Sequence, residues 1–176
     1  MTTPTATNPH NLLLAVGNRS RGDDAAGPLL LDRLEPMLSG SSELPELSGT
    51  SWLTEECYQL QPELVEELAT ARSVWIVDAT REFSTGAELA SVSPATQFEF
   101  TTHALSAASL LALYEKVYGD PAPPTRLLKI GASQFELGTP LSTQTLLNID
   151  QAIGIFLQAI AKPSTIDSIG KPACTS

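Results

Sequence analysis

The sequence predicts a three-layer α/β/α domain built on a mostly parallel, twisted sheet of about five strands. Two continuous apolar runs, LLLAV at 12–16 and VWIVD at 74–78, are bounded by turn residues. Such runs are typical of strands that helices cover on both faces. Amphipathic helical patterns alternate with these strands, which favours parallel pairing through helical crossovers. With 176 residues, of which 42% are hydrophobic, the chain is long enough to bury one core without disulfides or metals.

Three further segments complete the predicted sheet. RLLKIGA at 126–132 indicates a third buried strand, and weaker strand patterns lie at 88–92 and within 50–60. The charged residues of the 50–60 segment fit the edge of a sheet better than its centre. The predicted order along the chain is therefore β-α-β-α-β-β-α-β-α.

Residues that start or stop helices mark four helical segments between the strands. Pro28 and Pro62 suit first-turn positions, Gly119 suits a helix stop, and Ser142 suits an N-cap. The predicted helices lie around 28–35 and at 62–71, 103–118 and 142–161.

Both ends of the chain are polar. Residues 1–11 and 163–176 lack the apolar pattern of a core element, so we expect flexible tails on either side of a single domain at 12–162. The apolar run at 12–16 is too short for a signal segment or a membrane span, and no positive charge precedes it. We therefore expect neither export nor a membrane anchor.

Charge and cysteine content exclude several classes of function. The 20 acidic and 10 basic side chains give a formal net charge of −10, which would repel nucleic acid and an anionic membrane surface. Cys57 and Cys174 are too few for a disulfide framework, which favours a reducing compartment and hence the cytoplasm.

The loop after the first strand holds two adjacent carboxylates, Asp23 and Asp24, directly before a helix. Its sequence is GNRSRGDDAAGP, at 17–28. Ligand sites in open α/β sheets lie beyond the carboxyl ends of the strands, which is where this loop must be. Either carboxylate could instead cap the helix and interact favourably with its dipole. A phosphate site is disfavoured, because GxGxxG is absent and two aspartates would repel a phosphate.

Two more candidate residues follow along the chain. Asp78 ends the second buried strand, so its carboxylate emerges at the same edge of the sheet, unless it only begins a turn. His103 stands at the head of a long amphipathic helix, where it could also be a capping or surface residue, whereas His10 lies in the predicted tail. Together with Asp24, these side chains match a divalent metal site with open positions, suited to nickel, zinc or iron.

Other common catalytic motifs are missing from the sequence. No HExxH, paired CxxC or GxSxG occurs, so zincin, structural zinc and serine-hydrolase chemistry have no support. Cys57 would need a nearby base to act as a nucleophile, and we expect a small buried hydrophobic residue on a strand instead.

Taken in order, the segments VGNRSRGDDAAGPLLLDRL, QLQPELVEEL, VWIVDA and TTHALS resemble the hydrogenase maturation endopeptidases, over roughly residues 12–160. In that family an acidic residue of the first loop, an aspartate after the second buried strand and a later histidine bind metal. Matched by motif, these residues are Asp24, Asp78 and His103. Many relatives carry apolar residues where this chain has the polar residues 19–21, which predicts a loop that is solvent exposed or contacts the substrate.

The resemblance implies a nickel-dependent peptidase with aspartyl-type endopeptidase activity, occupying the domain at 12–162. Its expected substrate is the nickel-loaded large subunit of an immature [NiFe] hydrogenase, whose C-terminal extension is removed so that the subunit can close over its metal centre. The substrate would supply the nickel, and no organic cofactor is expected. One alternative is a non-catalytic assembly chaperone that recognises the same metal centre. Another is a nucleotide- or flavin-binding domain, which rests on fold class alone.

Overall fold

A computed structural model of the chain describes residues 10–39, 50–96 and 105–161. The order of elements confirms the predicted succession of strands and helices. Two short 3-10 turns, Gly22–Ala25 and Pro62–Leu64, precede the first two helices. The elements are β1 (His10–Val16), α1 (Ala26–Leu38), β2 (Trp52–Cys57), α2 (Val65–Leu68), β3 (Ala71–Thr80), β4 (Ala87–Val92), α3 (Ala107–Tyr118), β5 (Thr125–Gly131) and α4 (Thr143–Ala161).

The strands form one five-stranded sheet in the order β2-β1-β3-β5-β4. β1, β2, β3 and β5 are parallel, and β4 pairs antiparallel with β5. The sheet is thus mostly parallel, as predicted, and β2 lies at an edge, where its charged residues suit it. Because four strands run in the same direction, their carboxyl ends meet along one edge of the sheet and their amino ends along the other.

Helices cover both faces of the sheet. On one face, Leu13 and Ala15 of β1 belong to a buried cluster that includes residues of α1 and α4. On the other face, Leu12 and Leu14 belong to a second cluster that includes residues of α2 and α3. This alternation follows from the two-residue period of a strand, and it confirms the three-layer architecture.

The ends of several elements differ from the predicted ones. β1 begins at His10, inside the predicted tail, because Asn11 is buried and its backbone pairs with both neighbouring strands. The predicted helix at 62–71 is reduced to a 3-10 turn and the single turn of α2, because β3 already begins at Ala71.

Capping residues set both ends of α3 and the start of α4. α3 begins at Ala107, later than predicted, because Ser106 has an extended backbone and its hydroxyl accepts the N–H of Ser109 at 3.1 Å. Gly119 ends α3 with a positive φ of 76°, and the Ser142 hydroxyl accepts the N–H of Thr145 at 3.1 Å, both as predicted.

The predicted tails at 1–11 and 163–176 lie largely outside the described residues, so the tails remain a prediction. Within the described ranges, no helix combines the length and the apolar character that a membrane span requires.

Candidate functional site

A cleft of about 450 Å³ opens at the carboxyl edge of the sheet, beyond the ends of β1, β2 and β3. Both aspartates that the sequence singled out, Asp24 and Asp78, line this cleft. The other described residues of its wall are Val16, Arg21, Tyr58, Gln59, Leu60, Ile76, Ala79, Thr80, Glu82, Leu105, Ser106, Ala107, Leu127 and Lys129.

The backbone between β1 and α1 brings Asp24 to the cleft. Gly17 follows β1 with a φ of +144°, a conformation that other residues rarely adopt, and a Cβ at this position would overlap the carbonyl oxygen of Asp24. That carbonyl in turn accepts the N–H of Asn18 at 3.2 Å. The turn is therefore closed tightly on itself, which fixes where the Asp24 backbone lies.

The two carboxylates share an unfavourable electrostatic environment. Burial and then the negative charge of Asp24 raise the pKa of Asp78 from 3.8 to about 7. Burial likewise raises the pKa of Asp24. Neither carboxylate forms an ion pair with a basic side chain of the described residues. A cation entering the cleft would relieve this repulsion.

Two arginines lie near Asp24 without forming an ion pair with it. The positive charges of Arg21 and Arg81 lower the pKa of Asp24, and burial outweighs them. Arg21 donates from Nε to the carbonyl oxygen of Phe135 at 3.2 Å, and the guanidinium of Arg81 lies 3.9 Å from the centre of the Phe135 ring. Both cations are thus held by the segment after β5.

Among the described residues, Arg21 and Lys129 are the basic residues that line the cleft. The polar loop at 19–21 was expected to be exposed or to contact the substrate, and Arg21 is indeed exposed and lines the cleft. Arg19 instead bridges Asp32 and Glu56, with its nitrogens 2.7 and 2.8 Å from their carboxylates. Lys129, a residue of β5, was missed, because a single lysine within a strand pattern gives no signal of its own.

Asp23 is a structural residue, and its side chain does not cap α1. It is fully buried, and its carboxylate accepts the backbone N–H groups of Ser133, Gln134 and Ser142 at 2.9, 3.0 and 2.7 Å. Burial opposes its ionisation, but these donors together outweigh burial and lower its pKa to about 2. Asp23 therefore ties the turn before α1 to the segment between β5 and α4, and the capping alternative is wrong for it.

Cys57 lies half-buried at the end of β2, against the apolar cluster beneath α2 and α3. Burial and the nearby carboxylates of Glu55, Asp78 and Glu56 raise the pKa of its thiol to about 11. A thiol in this environment stays protonated at neutral pH, which agrees with the expectation that Cys57 is not a nucleophile.

His103 lies outside the described residues, so its position is not described. Among residues 10–39, 50–96 and 105–161, no group of three or more His, Cys, Asp and Glu side chains is arranged to hold a metal ion. The described chain resumes at Leu105, and Leu105, Ser106 and Ala107 form part of the cleft wall.

Solved structures of hydrogenase maturation proteases share this architecture. HycI from Thermococcus kodakarensis KOD1, a [NiFe] hydrogenase maturation protease, is 19% identical, and the match covers 87% of this chain and 93% of that chain with a TM-score of 0.62. The hydrogenase maturating endopeptidase HybD from E. coli is 19% identical, with coverages of 90% and 99% and a TM-score of 0.65. A hydrogenase 3 maturation protease is 23% identical, with coverages of 87% and 90% and a TM-score of 0.57.

No protein-family model matches the chain, and no curated protein sequence does. At these low identities, the likeness to solved structures establishes the fold. The chain therefore has the fold of the hydrogenase maturation endopeptidases.

Proposed function

We propose that this chain is an endopeptidase that removes the C-terminal extension of a nickel-loaded [NiFe] hydrogenase large-subunit precursor. One observation carries the proposal: Asp24 and Asp78 line the same cleft, and neither has a described basic side chain as an ion-pair partner. The fold shared with proteins named as hydrogenase maturation proteases supports the same conclusion.

The cleft is electrostatically prepared for a cation. Burial, together with the nearby negative charge of Asp24, raises the pKa of Asp78 to about 7, a cost to the folded chain at neutral pH. Functional sites are where such costs concentrate, because the ligand that the site binds removes them. Carboxylate oxygens and an imidazole nitrogen form a suitable ligand set for nickel, which the precursor carries into the cleft.

His103 is the third ligand in this proposal. It precedes Leu105, a residue of the cleft wall, by two positions, which corresponds to at most about 7 Å between Cα atoms. In the proposed site, the His103 imidazole joins the carboxylates of Asp24 and Asp78.

The three side chains act by gripping the nickel of the precursor and so setting the scissile peptide beside them. Nickel held in this way would polarise the scissile carbonyl or lower the pKa of a bound water. In the other form of the mechanism, nickel serves recognition alone and one of the two carboxylates accepts a proton from the attacking water. In both forms, cleavage requires that nickel has already been inserted into the precursor.

The reaction belongs in the cytoplasm under this proposal. Cys57 is a free cysteine, which suits a reducing compartment. The formal charge of −10 disfavours binding to nucleic acid or to an anionic membrane surface, and the proposed partner is the immature large subunit.

The decisive experiment incubates the purified chain with nickel-loaded and with nickel-free precursor and follows the length of the precursor by electrophoresis. We expect a shortened product from the nickel-loaded precursor alone. Complex formation is measured in parallel by size-exclusion chromatography. Stable binding of the nickel-loaded precursor without shortening would refute the peptidase and favour the chaperone alternative.

A further inference from the structure

A second cavity, of about 640 Å³, lies at the opposite edge of the sheet, among the amino ends of the parallel strands. Its wall includes Trp52 at the start of β2, Arg72 and Trp75 of β3, and Arg126 of β5. Its volume falls within the range of roughly 300 to 1,000 Å³ that small-molecule sites occupy. It does not share a lining residue with the cleft that holds Asp24 and Asp78.

The charge of this cavity is opposite to that of the chain. Two arginines line it and no described carboxylate does, although the chain carries a formal charge of −10. Within the described ranges, neither Arg72 nor Arg126 forms an ion pair. In an acidic protein, two arginines at one cavity, without ion-pair partners among the described residues, favour the binding of an anion there.

Arg126 is held in place without being neutralised. Its guanidinium lies 4.9 Å from the centre of the Trp75 ring, and Nη1 donates to the carbonyl oxygen of Ala159 at 3.4 Å. Among the described residues, the other donors of its fork have no hydrogen-bond partner. A fixed guanidinium of this kind binds the planar or tetrahedral oxygens of a carboxylate or phosphate with little loss of side-chain entropy.

Aromatic and neutral polar groups complete the wall. Trp52 and Trp75 pack against each other with their ring centres 6.4 Å apart, and both line the cavity. Asn11 and Ser73, joined by a hydrogen bond of 2.8 Å, add uncharged polar groups. Indole rings favour a flat apolar body beside the anionic group.

We propose that this cavity binds a small organic anion in which a carboxylate or phosphate group is attached to a flat ring. Arg72 and Arg126 would contact the anionic group, and the ring would lie against the partly exposed indole of Trp52, which packs against the buried Trp75. This proposal stands independently of the proteolytic function, because it uses other residues at the other edge of the sheet.

The chain contains two tryptophans, and both line this cavity, so its tryptophan fluorescence reports on the site directly. The full-length protein is titrated with phenyl phosphate, benzoate, inorganic phosphate and the uncharged benzyl alcohol, and binding is checked by calorimetry. We expect saturable changes with phenyl phosphate, benzoate or both, and at least about tenfold weaker binding of inorganic phosphate and of benzyl alcohol. Comparison of the first two ligands separates a phosphate from a carboxylate site.

Variants make the test specific to the two arginines. Arg72→Gln and Arg126→Gln should each weaken binding at least about tenfold. Arg33→Gln is the matched control, because Arg33 is paired with Asp150 and does not line the cavity. Asp24→Asn should bind as the unaltered protein does, which separates this site from the proteolytic one.

Arg126→Gln also removes packing against Trp75, so Arg72→Gln, at an exposed side chain, keeps the test independent of folding. Absence of saturable binding at millimolar concentrations of both ring-bearing anions would overturn the proposal. So would equal affinity in Arg72→Gln and the unaltered protein, or an affinity for inorganic phosphate equal to that for the tighter-binding ring-bearing anion.

Discussion

The negative charge of Asp24 helps to raise the pKa of Asp78 to about 7, because the two carboxylates line one cleft with no ion-pair partner among the described residues. Burial is the larger cause and Asp24 the second.

Asp24→Asn should lower the pKa of Asp78, because it removes a neighbouring negative charge while keeping the size of the side chain. The pKa should remain above its ordinary value of 3.8, since burial still acts on Asp78. Carboxyl carbon chemical shifts followed by NMR across the pH range measure this directly. An unchanged titration of Asp78 would show that the two carboxylates do not interact.

Asp78→Asn should stabilise the free protein above neutral pH. The pKa of Asp78 rises from 3.8 to about 7 on folding, so the folded state binds this proton more tightly than the unfolded state does. The stabilisation that results is fully present below pH 3.8 and is lost as the pH rises through about 7. At about pH 8 the substitution should therefore raise the free energy of unfolding by about 1–3 kcal/mol, and at about pH 4 it should change it little. Urea unfolding at the two pH values tests this, with the exposed Asp150→Asn as control.

Asp23→Asn should destabilise the fold. Both carboxylate oxygens of Asp23 accept backbone N–H groups. In either orientation of the Asn side chain, its amide NH₂ group would therefore face a backbone N–H donor. We expect a loss of about 1–3 kcal/mol at neutral pH in chemical denaturation. Asp32→Asn, at a half-exposed carboxylate that pairs with Arg19, is the comparison, and equal effects of the two changes would contradict the structural role of Asp23.

Acid should remove the contribution of Asp23 to stability. Because the pKa of Asp23 falls from 3.8 to about 2 on folding, its contribution is present above pH 3.8 and is lost as the pH falls through about 2. The stability advantage of the unaltered protein over Asp23→Asn should therefore shrink across that interval. If the stability difference between the two proteins stays constant from neutral pH to about pH 2, the effect of the substitution is due to packing alone.

Asp24→Asn, Asp78→Asn and His103→Ala should each reduce removal of the precursor's C-terminal extension by ~100-fold or more, with folding preserved. Because the three residues act as one unit, the double change of Asp24 and His103 should be scarcely worse than either single change. Asp150→Asn, which alters an exposed carboxylate of α4, should process normally. Processing of nickel-loaded precursor at the normal rate by folded Asp24→Asn would remove that carboxylate from the mechanism.

Deleting residues 1–9 together with 166–176 should leave the melting temperature nearly unchanged, because neither segment has the apolar pattern of a core element. The truncation stops short of His10, since β1 begins there. A fall of more than about 5 °C would indicate that a packed element had been removed.

Local patterns in the sequence were enough to predict the strands, their order along the chain and the three-layer architecture. The apolar runs that include Leu12–Val16 and Val74–Val77 have the length and composition of buried parallel strands, and those properties do not depend on distant contacts. Gly119 and Ser142 were likewise read correctly, because a positive φ and a side-chain cap act within one turn of a helix. The shared edge of Asp24 and Asp78 followed from the parallel strands alone.

The different roles of Asp23 and Asp24 were decided by the tertiary structure. The two residues are adjacent and chemically identical, and the sequence left capping open for both. Asp23 points to Ser133, Gln134 and Ser142, more than 100 positions along the chain, while Asp24 lines the cleft with Asp78. The cavity at the opposite edge, which both Arg72 and Arg126 line, depends in the same way on the pairing of β3 with β5. Contacts at such separations arise only when the strands pair, so no local pattern in the sequence encodes them. Periodicity and capping, by contrast, depend on a few neighbouring residues and can be recognised from the sequence alone.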